Sequence, residues 1–189
     1  GDEVWGLRRD WSGVKKPPSF YTLTADLLDL NSLINLPPVD WVLICQSPSR
    51  ESDVSEDIYY RATQNLLEAL WGERLKKILL ISTTGVYSAT DGSWVDEKNG
   101  RLDETNVHLR TEQLVLTSPR HGMALRLGGI YGPGRNRISA IKNGTFKPAL
   151  SEDYTNRIFI EDVVSCVTLL FKKGKAGEVY NLGNPDEFT

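Results

Sequence analysis

The chain has 189 residues, of which 40% are hydrophobic and 25% charged, with a formal net charge of −3. That length fits one domain, and that apolar fraction can build a sizeable core, which excludes global disorder. The weak negative charge gives no general argument for nucleic acid or an anionic membrane, and neither is expected as a partner.

Two cysteines, Cys45 and Cys166, do not make a disulfide framework or a metal cluster. A reducing, cytoplasmic compartment fits best, and no metal site is expected. The longest apolar stretch, residues 163–171, is too short to span a bilayer.

In chain order, Glu3 to Leu7 reads as a strand ending in Arg8-Arg9-Asp10, with a Gly-, Lys- and Pro-rich loop after it. Tyr21 to Thr24 reads as a short strand. Asp26 to Leu36 reads as a helix with Leu27, Leu30 and Ile34 on one face, stopped by Pro37-Pro38. Trp41 to Cys45 is an apolar strand ended by Gln46-Ser47-Pro48. From about Asp53 to Trp71, Ile58, Ala62, Leu66, Ala69 and Leu70 recur at helical spacing. Asp53 or Ser55 can cap that helix and Gly72 can close it.

Strand 78–81 follows, then a polar loop from Ala89 to Glu104, a helix from Thr105 to Thr117 and a strand from Met123 to Leu127. Glu161 to Lys173 reads as a helix burying Val163, Val164, Val167, Leu170 and Phe171. Lys172 and Lys173 sit at its negative end and Gly174 terminates it. Val179 to Leu182 is the last strand. Strands alternating with helices predict a doubly wound α/β fold with a parallel sheet.

Two runs carry the functional signal: KKILLISTTGVYS over 76–88 and ALRLGGIYGPGR over 124–135. Continuous apolar runs mark buried parallel strands. One stops in Ser82, Thr83 and Thr84, the other in Gly128 and Gly129. Ligands of open α/β sheets lie outside such carboxyl ends, so hydroxyls and bare backbone stand where a cofactor or substrate would lie.

Each candidate also has an ordinary structural role. Arg8 and Arg9 follow a strand where a dinucleotide fold chooses its cofactor, and arginine there accommodates a 2′-phosphate; otherwise they are a solvated pair. Asp26 can contact an adenine amino group or cap a helix. The hydroxyls of Ser82, Thr83 and Thr84 can bond a carbinol or carbonyl oxygen, or satisfy a turn. Gly128-Gly129 admit a ligand or make a turn. Arg126, in an otherwise apolar strand, needs a buried partner. Arg157 can grip a phosphate bidentately or pair with nearby acids. His108 and His121 form no metal or triad signature.

GLRRD, ADLLD, ATQNLLEAL, KILLISTTGVYS, LRLGGIYGPGR, NRIFIEDVV and GEVYNLG, in this order, resemble the extended short-chain dehydrogenase/reductase superfamily. The nearest branch resembles the NAD-dependent epimerase/dehydratase family and its atypical relatives. The resemblance implies an NAD(P)-binding Rossmann fold, with the start of a small substrate lobe after about Pro133. Thr83 falls at the catalytic Ser or Thr. Asp26-Leu27 fall at the adenine contact, Cys45-Gln46-Ser47 in a segment lining the cofactor with Ser82 beside it, and Gly129-Ile130 at the nicotinamide. Thr84 and Arg157 fall on the substrate side, Arg157 where nucleotide-sugar enzymes hold phosphates.

The family's Gly-rich phosphate loop would precede Gly1. Met123 is the only methionine, so residues are expected to be missing at both ends. The family's Tyr-x-x-x-Lys pair is not found: none of the tyrosines has lysine four positions on. The helix that would carry it offers His108 and Arg110. The expected activity is that of an NAD(P)-dependent epimerase, dehydratase or reductase, NADP preferred over NAD, on a nucleotide-sugar-type substrate. The alternative is an atypical dinucleotide-binding protein that does not turn over. A homodimer through the helices near 53–71 and 105–117 is a further expectation.

Overall fold

The computed structural model describes residues 2–46, 57–70, 74–119, 122–136, 138–145 and 156–184. Ser47, the proposed caps Asp53 and Ser55, and Trp71, Gly72 and His121 lie outside them.

The centre is a four-stranded parallel sheet of β3 (Trp41–Ile44), β4 (Lys77–Thr83), β5 (Gly122–Leu127) and β8 (Val179–Leu182), hydrogen-bonded in that order. Side chains alternate across a strand, and the two faces of this sheet are both apolar. Ile78 and Leu80 point to one face, packed with Ile44, Leu70 and Val115. This face is covered by α1 (Asp57–Ala69) and α2 (Val107–Leu116). Leu79, Met123, Leu125 and Leu127 point to the other, against Val163 and Leu170 of α4 (Ile160–Lys173). Burial on both faces is why β4 and β5 read as continuous apolar runs. The α/β Rossmann-type expectation is thereby met.

A second parallel pair, β1 (Val4–Arg8) with β2 (Phe20–Thr24), stands apart from this sheet. A third pairs β6 (Gly129–Tyr131) with β7 (Arg157–Phe159). A one-turn helix, α3 (Ile138–Lys142), lies between β6 and β7 in the chain. Among the described residues no helix is long and apolar enough to cross a membrane.

The expected helix over 26–36 is corrected: only a 3₁₀ turn forms, Leu30–Leu33. Asp26 and Asp29 accept hydrogen bonds from the backbone N–H groups of Leu28 and Asn31, local bonds that compete with a helix. Leu33 is buried, while Leu30 and Ile34 are exposed. Val164, expected in the core, is 60% exposed, because the buried stripe of α4 runs through Val163 and Leu170.

Candidate functional site

Parallel pairing brings the carboxyl ends of β3, β4, β5 and β8 to one edge of the central sheet. Thr83 and Leu127 are register partners there, and the Thr84 hydroxyl donates to the Leu127 carbonyl at 3.4 Å. Thr83 is half-buried. It caps a 3₁₀ turn over Thr84–Val86, its Oγ1 accepting from the Gly85 N–H at 3.0 Å. Asn106, the cap of α2, donates through Nδ2 to the Gly85 carbonyl at 3.1 Å. The hydroxyl strand end is therefore fixed from two sides.

Ser82 points the other way. Its hydroxyl donates to Glu112 of α2, which is fully buried. Glu112 is also the partner that Arg126 required. The guanidinium Nε lies 3.1 Å from both carboxylate oxygens and Nη2 lies 2.6 Å from Oε2. Nη1 donates to the Tyr87 hydroxyl at 2.9 Å, and that hydroxyl meets the Asn181 side chain. Burial alone would lower the pKa of Arg126, but the bonds to Glu112 and Tyr87 outweigh it and raise it. The guanidinium stays charged. This network locks α2, β4, β5 and β8 together directly beneath the edge.

Cys45 and Gln46 follow β3. The thiol of Cys45 is pushed up by desolvation around its sulfur, although the residue as a whole is exposed. Gln46 turns its amide towards α1, donating to the Tyr59 carbonyl at 3.0 Å and to the Thr63 hydroxyl. Tyr59 is buried, with the His108 ring edge-on at 4.7 Å. Burial, with Glu112 and Cys45 nearby, pushes the Tyr59 phenol up to about 12. It is a proton holder at neutral pH and not a ready base.

After β5 the backbone is bare for a specific reason. A Cβ on Gly128 would stand 2.8 Å from the Asn156 Oδ1 atom, and one on Gly129 would stand 3.3 Å from an Arg157 guanidinium nitrogen. Gly129 also donates its N–H to the Asn156 carbonyl at 2.8 Å. Gly129 and the half-buried Arg157 are thus brought together across β6 and β7. Ile130 packs against the core on the α4 side. Asn156 ties this corner to β8 by accepting the Asn184 N–H at 3.2 Å. Sequence reasoning missed Asn156; its one signal is the polar residue directly before β7.

Arg8 and Arg9 lie at the end of β1, exposed. Asp26 follows β2, where its carboxylate accepts from Leu28. The Leu27 carbonyl accepts from Asn65 of α1 at 2.8 Å. The proposed residues therefore divide into two groups. Arg8, Arg9, Asp26 and Leu27 belong to the β1–β2 pair. Cys45, Gln46, Ser82, Thr83, Thr84, Gly129, Ile130 and Arg157 belong to the central sheet and the β6–β7 corner. Among the described residues no cluster of three metal-ligating side chains occurs.

No protein-family model matches the chain. It is 30% identical over 167 residues, 86% of its length, to the protein YeeZ of Escherichia coli K12, and equally to YeeZ of Escherichia coli O157:H7. The chain spans 58% of the length of these curated relatives. Among solved structures it superposes on a candidate NAD-dependent epimerase/dehydratase from Methylobacillus flagellatus at 27% identity and a TM-score of 0.76. That match covers 98% of this chain and 68% of the other. The dTDP-glucose 4,6-dehydratase DesIV from Streptomyces venezuelae, a double mutant with NAD and DAU bound, matches with a TM-score of 0.82 at 19% identity. It covers 100% of this chain and 68% of that one. RMD from Pseudomonas aeruginosa, complexed with NADPH, matches with a TM-score of 0.70 at 22% identity, covering 94% and 73%.

Proposed function

We propose that the chain belongs to the extended short-chain dehydrogenase/reductase superfamily, on its NAD-dependent epimerase/dehydratase branch, and that it is an NAD(P)-dependent epimerase, dehydratase or reductase acting on a nucleotide-sugar-type substrate; its likeness to the Methylobacillus flagellatus protein supports the reading. The observation that carries the reading is the shared edge. Hydroxyls at the end of β4 and bare backbone after β5 sit side by side, tied by Thr84 to Leu127, at the place where such sheets bind ligands.

A nicotinamide dinucleotide fits the residues present. Arg8 and Arg9 make no close ion pair among the described residues; the nearby Asp10 carboxylate hydrogen-bonds Ser12 and feels Arg8 only through its charge. That supports NADP over NAD, since a positive side chain there suits a 2′-phosphate. Asp26 and Leu27 would lie along the adenine, and Cys45, Gln46, Gly129 and Ile130 along the rest of the cofactor, where Ser82 would offer its backbone because its hydroxyl is spent on Glu112. When bound, the dinucleotide supplies reversible hydride exchange with a substrate carbon. Thr83 orients the reacting oxygen, Thr84 contacts the substrate and Arg157 holds its phosphates as a fork. A cytoplasmic homodimer packing through α1 and α2 completes the proposal.

The competing reading is a dinucleotide-binding protein without turnover. It is favoured by one observation: α2 carries neither tyrosine nor lysine, and Tyr59 is held protonated. Titration of the protein with NADPH and NADH, followed by tryptophan fluorescence, tests both. Binding of neither cofactor removes the whole proposal. With binding in hand, Thr83→Ala is expected to keep cofactor affinity and to lose about 10²-fold in turnover, while Thr83→Ser keeps both. Loss of cofactor binding in Thr83→Ala contradicts its assigned role, and binding with no turnover across nucleotide sugars supports the non-catalytic reading.

A further inference from the structure

The loop after β1 folds back on itself around one indole. Gly6 of β1 lacks the side chain that would collide with Trp11, whose Cη2 would lie 2.7 Å from a Cβ there, and with Phe20. Trp11 fills that space, edge-on to Phe20 at 5.7 Å, and its Nε1–H donates to the Leu23 carbonyl of β2 at 2.9 Å. The indole is thus fixed to both strands.

Two cations are held against this ring. The Arg8 guanidinium carbon is 5.7 Å from the ring centroid and the Lys16 ammonium is 5.4 Å from it. Both are within the reach of cation–π attraction. Neither makes a close ion pair among the described residues, and Asp10 meets Arg8 only through the field of its charge. Asp10 is the one acid between them in sequence. It spends its carboxylate on the Ser12 N–H at 2.8 Å and on the Ser12 hydroxyl. Those bonds, chiefly from the Ser12 side chain, hold it below the usual carboxylate range. The charge of Arg8 also contributes to that lowering, so two cations share one rigid aromatic support with a single carboxylate near them.

We infer that Lys16, placed by Trp11, forms an anion subsite with Arg8 for a phosphate monoester, and that this subsite selects the phosphorylated dinucleotide. The inference rests on the proposed dinucleotide function and adds to it two residues, Trp11 and Lys16. It gives the loop over 13–18 a purpose: bringing a lysine back to the end of the strand it has left. A lysine is a point charge on a flexible stem and would otherwise sweep through solvent; the indole limits it.

The test is fluorescence titration of the protein and of Lys16→Ala and Lys16→Arg with NADPH and NADH, and with 2′-AMP and 5′-AMP. Loss of one charge-assisted contact to phosphate should weaken NADPH in Lys16→Ala about tenfold and leave NADH unchanged, and Lys16→Arg should restore the preference. Raising ionic strength should weaken NADPH more than NADH. If Lys16→Ala lowers both dinucleotides equally, or neither, the subsite is overturned while the dinucleotide reading stands. If neither dinucleotide binds, that reading falls, and the mononucleotides decide the subsite. Lys16-dependent binding of 2′-AMP but not 5′-AMP upholds it, and its absence overturns it.

Discussion

Arg126 shows at the scale of one side chain how a site can be supported from below. It sits in a strand whose other members are all apolar and buried, 3% exposed itself, and its guanidinium hydrogen-bonds Glu112 and Tyr87. The value of such a pair is asymmetric. Replacing both partners with apolar groups is often neutral, whereas removing one leaves a buried charge uncompensated, at about 3–5 kcal/mol. Glu112→Gln is therefore expected to destabilise the fold by about that amount in urea unfolding. Glu112→Leu combined with Arg126→Met should recover most of the loss. A single-variant cost below about 1 kcal/mol would mean that Arg126 escapes to water. The requirement for a partner was legible in the sequence, because an arginine inside LRLGG has no other way to be buried. The identity of the partner was not. Glu112 lies on a helix whose face is chosen by packing, and its helical spacing alone does not say that it turns inward.

At the scale of elements, legibility followed length and burial. β4, β5 and α4 are long, and their apolar periodicity is decided locally, so they emerge within a residue or two of expectation. β6, β7 and α3 have three to five residues each, and β6 and β7 exist through pairing with one another, which no local pattern encodes. The segment 26–36 failed for the opposite reason: its leucines have helical spacing, but two aspartates bond the backbone locally. The end of α4 adds a device that periodicity cannot show. Lys172 and Lys173 were the expected complement to its negative end. Yet the ammonium of Lys77, from the first residue of β4, reaches the Gly174 carbonyl at 2.9 Å and the Leu170 carbonyl at 3.4 Å. It satisfies the Gly174 carbonyl, which the helix end leaves open, adds a second donor to the Leu170 carbonyl that already accepts the Gly174 N–H, and staples α4 to the sheet. Lys77→Met keeps the apolar stem and removes the charge. It should cost about 1–2 kcal/mol and raise amide exchange in the last turn of α4 ahead of the rest of the helix. Unchanged exchange there would assign the capping to Lys172 and Lys173 instead.

At the scale of the molecule, the proposed cofactor contacts are carried by two separate sheets. Arg8, Arg9, Asp26 and Leu27 travel with β1–β2, and Thr83, Gly129 and Ile130 travel with the central sheet and its corner. Hydrogen bonds within β1–β2 do not continue into β3, so sheet pairing does not set the distance between the two groups. Their alignment depends on the segment joining β2 to β3. There the 3₁₀ turn packs on α1, and Asn65 of α1 donates through Nδ2 to the Leu27 carbonyl at 2.8 Å. The same carbonyl belongs to a residue proposed at the adenine, so this bond couples the adenine side to the helix that also holds Gln46. Asn65 follows a stripe of buried positions on α1 and its polarity looks surface-like in the sequence; only the tertiary arrangement gives it a task. Asn65→Ala leaves the Leu27 carbonyl without that donor, costing about 1 kcal/mol, and should raise amide exchange in β1 and β2 while β4 and β5 stay protected, since local opening follows the weakest cooperative unit. Because both halves of a dinucleotide must be met at once, its affinity should fall equally for NADPH and NADH. That equal fall separates loss of alignment from loss of the Lys16 phosphate contact, which is expected to change NADPH alone. Unchanged exchange in β1 and β2 would mean that the packing of the 3₁₀ turn on α1 holds the two sheets in register without Asn65.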